Sequence, residues 1–249
     1  MLYYSISLFI IGLYLGNLYT LIGYNLPHKK IIKYPSFNCN CKNYLVLLPI
    51  ISYFILKGKC NKCEKNIISM YPIMELLTGL LFLISYILFG LTLKYLIVIT
   101  FISCLLITIV SDYYYMIICD EVLIIFSIIL LIEIYFINGY KELIYSLICG
   151  LISFIIMFII KKIGDFIFKK ESMGGGDIKL LFIFGLILKF PLALFSIFLG
   201  SIIALPISII NLIKNTNHEI PFGPFLAISA IILLLFNSQI SKILIKLLF

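Results

Sequence analysis

Met173-Gly174-Gly175-Gly176-Asp177-Ile178-Lys179-Leu180 sets three glycines and an aspartate at the mouth of an apolar run, 180–188. An ionisable side chain at the edge of a membrane segment is costly to place and marks a functional site by default. Glycine lets the backbone approach another group closely and take up φ > 0, so a special backbone geometry is expected here. Asp177 then needs a partner. Asp112 is the best one, because it closes a second apolar run, 101–110. Two carboxylates delivered to one place by two membrane helices suggest aspartyl-type hydrolysis of a peptide bond at the membrane.

The rest of the chain suits a bilayer. Of its 249 residues, 63% are hydrophobic and 12% charged, with a mean hydropathy of +1.20. A soluble domain is charged at about a quarter of its positions. Met1 is followed directly by apolar residues with no basic segment, so no cleavable signal peptide is expected. The net charge of +8 comes from lysine alone. We assign it to membrane topology and not to nucleic acid.

Apolar runs long enough to span number eight: 2–24, 72–90, 93–112, 121–138, 143–162, 178–190, 192–213 and 223–248. Pro191 argues for a break between the sixth and seventh. The expected fold is an all-α, polytopic membrane protein with about eight transmembrane helices. Residues 1–24 form the first helix, 25–71 a small cytoplasmic loop containing cysteines, and 72–249 a transmembrane core of about seven helices. Placing 25–71 in the cytoplasm puts fourteen lysines on that side and five on the other, a clear positive-inside bias. Asp112, Asp120 and Asp177 then all lie at the cytoplasmic face.

Individual residues carry further expectations. Gly12 and Gly16 form a small-xxx-small pair for close helix packing. Cys39, Cys41, Cys60 and Cys63 form two close pairs in the polar loop and suit a structural four-thiolate zinc site; a set of free thiols is the alternative. Cys104, Cys119 and Cys149 lie in or beside apolar runs as packing residues. Glu75 falls in the first turn of its helix, where the dipole favours it, on the same face as the other acids. Glu133 is expected to snorkel to water. Asp120, beside Glu121, is explained by a helix N-terminus. Asp112 ends a helix, where the dipole disfavours a carboxylate, so it is the better catalytic candidate. On the residues alone, two other classes stay open. One is a cation transporter or channel with an acidic path through Asp112, Asp120 and Asp177, against which no internal repeat is found. The other is a zinc-dependent scaffold without catalysis.

With these residues in place, the sequence resembles the type IV prepilin peptidases, membrane aspartyl proteases with a Gly-x-Gly-Asp motif. Gly174-Gly175-Gly176-Asp177 matches that motif. Asn25-Leu26-Pro27, Leu48-Pro49, Lys57-Gly58-Lys59-Cys60, Tyr71-Pro72 and Ile220-Pro221-Phe222-Gly223-Pro224 follow in the family's order. Two departures are Cys39-Asn40-Cys41, where the family usually has Cys-Pro-x-Cys, and Cys119, where it usually has Pro. The resemblance implies a bacterial cytoplasmic (inner) membrane enzyme with its active site facing the cytoplasm. It implies cleavage of the basic leader from prepilins or pseudopilins, with Asp112 and Asp177 catalytic. By position, Gly174, Gly176, Asp120 and Lys179 support the site. Many members also N-methylate the new terminus with S-adenosylmethionine, and the cysteine loop points the same way. Glu75 is placed by position as a cofactor contact. The implied partners are prepilin or pseudopilin precursors and the lipid bilayer.

Overall fold

In lipid every backbone N–H and C=O must find its partner within the protein, which favours helices throughout. The computed structural model describes residues 2–28, 50–55, 57–59, 66–169, 171, 173–214 and 220–236. It contains α1 (Leu2–Asn25), a 3-10 turn (Leu26–His28), α2 (Ile51–Ile55), α3 (Met70–Phe89), α4 (Leu93–Tyr115), α5 (Asp120–Asn138), α6 (Tyr140–Phe168), α7 (Gly175–Leu188), α8 (Leu192–Ile213) and α9 (Gly223–Leu235). Each of the eight expected spans coincides with a helix, α1 or one of α3 to α9. Among the described residues, α1, α3, α4, α6 and α8 are long and apolar enough to cross a membrane.

Several boundaries differ from the sequence expectation. α4 runs three residues past Asp112, to Tyr115. α6 continues to Phe168, its lysines carrying the helix into the interface with their apolar stems. α7 starts at Gly175, so Asp177 lies inside its first turn. α9 is described only to Leu235.

α4 and α7 form the centre of the bundle. Phe101, Ile102, Leu105, Leu106 and Val110 on α4 are wholly buried, as are Leu180, Leu181, Ile183, Phe184 and Leu186 on α7. Helices this apolar all round are expected to be buried on every side. The rings of Phe101 and Phe184 meet edge-on at 6.0 Å. The two helices that carry Asp112 and Asp177 thus meet through these rings in the core. α6 and α8 lie outside, with side chains such as Phe158, Ile159, Leu205 and Ile209 exposed. On a membrane protein such a surface faces lipid.

Small residues set the closest seams. A Cβ on Gly12 would come within 2.7 Å of Gly79 Cα, and one on Gly16 within 2.7 Å of Glu75 Cα. The expected small-residue packing therefore joins α1 to α3. A Cβ on Gly185 would meet Gly150 Cα at 2.6 Å, which joins α7 to α6 the same way. Hydroxyls within the apolar helices satisfy themselves locally: Thr20 donates to Gly16 O, Thr78 to Met74 O and Ser153 to Cys149 O. This back-bonding removes the cost of a bare hydroxyl in lipid.

Glu133 departs from expectation. Its Oε1 accepts a hydrogen bond from Thr100 Oγ1 at 2.8 Å. Its Oε2 is buried with no partner among the described residues. It is part-buried and held to the neighbouring helix.

Candidate active site

The Gly174–Gly176 entry to α7 is built for close contact. Gly174 is the N-cap residue with φ −63°, and none of the three glycines has positive φ. The expected left-handed backbone is therefore absent. Gly176 is needed because a Cβ there would lie 2.7 Å from Ile118 Cβ in the link between α4 and α5. Asp177 is the third residue of the helix, and its carboxylate accepts a hydrogen bond from the Gly174 backbone N–H. This is the reach-back half of a capping box. It fixes the side chain at the helix N-terminus, where negative charge is favoured.

Asp112 is held from another direction. Its Oδ2 accepts the backbone N–H of Gly223 at 2.8 Å, at the first residue of α9. A Cβ on Gly223 would sit 2.6 Å from that oxygen, so glycine is what lets the carboxylate approach. The sequence expectation found no structural reason for Asp112 because the helix it caps is not its own. Gly223 is the functional residue that sequence reasoning left without a role. Its signal was glycine followed by Pro224 at a helix start.

Asp112 and Asp177 are both buried, and they interact electrostatically. Both line a cavity of about 470 Å³ with Gly174, Gly176, Asp120, Glu121 and Lys179. A second cavity, of about 560 Å³, reaches the same two carboxylates from the side of Met157, Met173 and Phe222. The pair is thus approachable from two directions. Tyr24 of α1 packs edge-on against Tyr114 of α4 at 5.2 Å, which ties the end of α1 to the same end of the bundle.

Asp120 has a different setting. Cys119 is the N-cap of α5 and Asp120 its first residue, one position later than a capping role requires. Its carboxylate takes two hydrogen bonds from Lys179 Nζ, each 2.7 Å, and both side chains are about half exposed. Such a pair orders the rim of the cavity and contributes little stability. Cys119 is buried. Burial pushes its thiol up, Glu121 adds to the shift, and a hydrogen bond with Ser111 opposes it. Cys119 is therefore a neutral packing thiol, and Cys104 and Cys149 are buried likewise.

Glu75 does not fit a cofactor contact. It is 3% exposed. Its Oε1 accepts Asn17 Nδ2 and its Oε2 accepts the Ile50 backbone N–H, both at 2.6 Å. Both oxygens are committed, so Glu75 clamps α1 and the segment before α2 onto α3. Glu75→Ala leaves two donors without an acceptor, each costing roughly 1–3 kcal/mol. A lower thermal midpoint in detergent is the expected result. Cys39, Cys41, Cys60 and Cys63 lie outside the described residues, and among the described residues no group of side chains could hold a metal ion.

The carboxylates also weigh against a cation path. Asp112, Asp120 and Asp177 share one cavity at one end of the bundle, whereas Glu75 and Glu133 are each tied to a neighbouring helix. What the fold and this cavity define is a polytopic membrane protein with two buried aspartates opposed at a helix-bundle end. Residues 10–89 match the model of the bacterial peptidase A24 N-terminal domain, and residues 99–209 that of the type IV leader peptidase family. A prepilin leader peptidase/N-methyltransferase of Bacillus subtilis (strain 168) is 31% identical over 247 residues, covering 96% of this chain and 97% of that protein. Proteins of the same description from Neisseria gonorrhoeae and Pseudomonas aeruginosa are 28% and 30% identical, covering 78% of this chain and 67% and 68% of their own lengths. The chain belongs to the type IV leader peptidase family. No solved structure matches it.

Proposed function

We propose that this protein cleaves the leader from prepilins or pseudopilins, with Asp112 and Asp177 as the catalytic pair, and N-methylates the new terminus. The observation that carries this reading is that the two aspartates, buried on separate helices, line one cavity. Two buried carboxylates that interact electrostatically do not both ionise readily, so the pair would hold one proton between them. The ionised member takes a proton from water as that water attacks the scissile carbonyl. The protonated member donates a hydrogen bond to the carbonyl oxygen and stabilises the charge that develops there. Gly174 and Gly223 hold one carboxylate each through backbone N–H groups, so neither has to reorganise during the reaction.

The cavity also carries Asp120 and Glu121, with Lys179 as its cation. Its excess of negative charge complements a basic leader. The lysine distribution supports a cytoplasmic orientation for this face, and prepilin or pseudopilin substrates would put the protein in the bacterial cytoplasmic membrane. The donor set of Cys39, Cys41, Cys60 and Cys63 fits a structural zinc ion, which would fold a loop too small for a core of its own. S-adenosylmethionine, when bound, supplies the methyl group. We assign it no contact among the described residues, since Glu75 is sealed by Asn17 and Ile50.

The test is mass spectrometry of a prepilin co-expressed with this protein. The expected product lacks the leader and carries about 14 Da beyond the mass of the bare new terminus, one methyl replacing hydrogen. Leader removal without the added mass would retain the peptidase and remove the methyltransferase. No removal would overturn both.

A further inference from the structure

α6 and α7 are locked backbone to backbone at Gly150 and Gly185, and α5 lies alongside them. Between α5 and that pair runs a groove of about 470 Å³. Leu123, Ile124 and Ile128 of α5 form one wall, Leu151 and Phe154 of α6 the other, and Phe182 of α7 the floor. The groove ends on Asp120 and Lys179, which also line the carboxylate cavity. An apolar trough along membrane helices is therefore continuous with the proposed catalytic centre.

A chain whose peptide bond lies between Asp112 and Asp177 must continue either into water or into the bilayer. The groove supplies the second route. We infer that it seats an apolar helical stretch of the substrate, next to the cleaved bond and within the bilayer, while the polar leader occupies the acidic cavity; this rests on the peptidase reading above. Lipid tails are as apolar as the groove walls, so affinity there comes from close packing. Ser127, the small residue on the α5 wall, allows a backbone to come near. The rim favours a helix over a lipid tail. The start of a helix presents backbone N–H groups with no partner, and the half-exposed Asp120 carboxylate at the end of the groove, though it takes both Lys179 hydrogen bonds, keeps a further lone pair on each oxygen to accept from them. An acyl chain offers nothing to that carboxylate.

The test fills the groove. Ser127→Trp is expected to raise KM for a full-length prepilin by about tenfold or more, with a smaller effect on kcat. Ile125→Trp, on the exposed face of the same helix and outside the groove, is expected to leave both parameters at the wild-type values. Equal kinetics for Ser127→Trp and wild type, or an equal loss in Ile125→Trp, would overturn the groove assignment while leaving the peptidase intact. A second measurement is independent of turnover. A photoreactive residue at position 127 in the Asp177→Ala protein is expected to cross-link to the apolar segment of bound prepilin, and one at position 125 is not. Cross-links from position 127 to lipid alone would overturn the proposal. Failure of the wild type to cut any prepilin would instead overturn the peptidase reading.

Discussion

Asp177→Ala and Asp112→Ala are each expected to lower the rate of leader removal by about a thousandfold or more, with the protein still inserted at normal abundance. The size of the effect follows from the arrangement. Each carboxylate depends on the other to hold the shared proton, so removing either leaves an ordinary acid with no matching base. The fold should survive, because each aspartate makes one backbone hydrogen bond, to Gly223 or Gly174, and truncation leaves a small space that opens onto a cavity. Asparagine at either position keeps the volume and loses the titrating group, so it is expected to fail nearly as badly. Rates of leader removal and membrane abundance, measured on the same preparations, separate loss of chemistry from loss of protein.

Gly185→Leu is expected to be the most damaging change away from the carboxylates. The first added atom would already lie 2.6 Å from Gly150 Cα and from Cys149 O. Both are backbone or backbone-bound atoms that cannot swing aside. The helices must separate, and overpacking of this kind costs on the order of 3 kcal/mol. Because α7 carries Asp177, separation also moves one member of the proposed catalytic pair. The expected result is a lower thermal midpoint in detergent together with lost cleavage. Ile148→Leu, on the lipid-facing side of α6, should change stability by no more than about 0.5 kcal/mol. If Gly185→Leu were as stable and active as wild type, the α6–α7 seam described here would be wrong.

Much of this was readable from the sequence because membrane segments announce themselves. α1 and α3 to α9 each show in the sequence as an apolar run, the short α2 does not, and Asp112 and Asp177 stand out as acids at the ends of such runs. Glycine roles were legible where spacing repeats, as at Gly12 and Gly16. They were not legible where the contact is long-range. Gly223 serves Asp112 across 111 positions of the chain, and no local pattern marks that. At Gly176 one of the two expected properties is present, the close approach, to Ile118, that a Cβ would block; the positive φ is not. Glu75 and Glu133 were read from position along a helix. Their settings depend on which neighbouring helix offers Asn17 or Thr100, and only packing decides that. Asp120 lies in the first turn of its helix as its position suggests, but Cys119 takes the cap, and the partner of Asp120, Lys179, lies 59 positions away.

In the proposed mechanism Asp112 and Asp177 act as one unit. The most direct measurement is the initial rate of leader removal from a purified prepilin by Asp112→Ala, Asp177→Ala, the double variant and Asp120→Asn, all at matched abundance. Residues that act as a unit lose as much singly as together. The prediction is therefore that both single variants fall to the level of the double one, while Asp120→Asn stays within about tenfold of wild type, as expected for an exposed ion pair. Wild-type cleavage by either single variant, or losses in the two that multiply in the double, would contradict a shared catalytic pair.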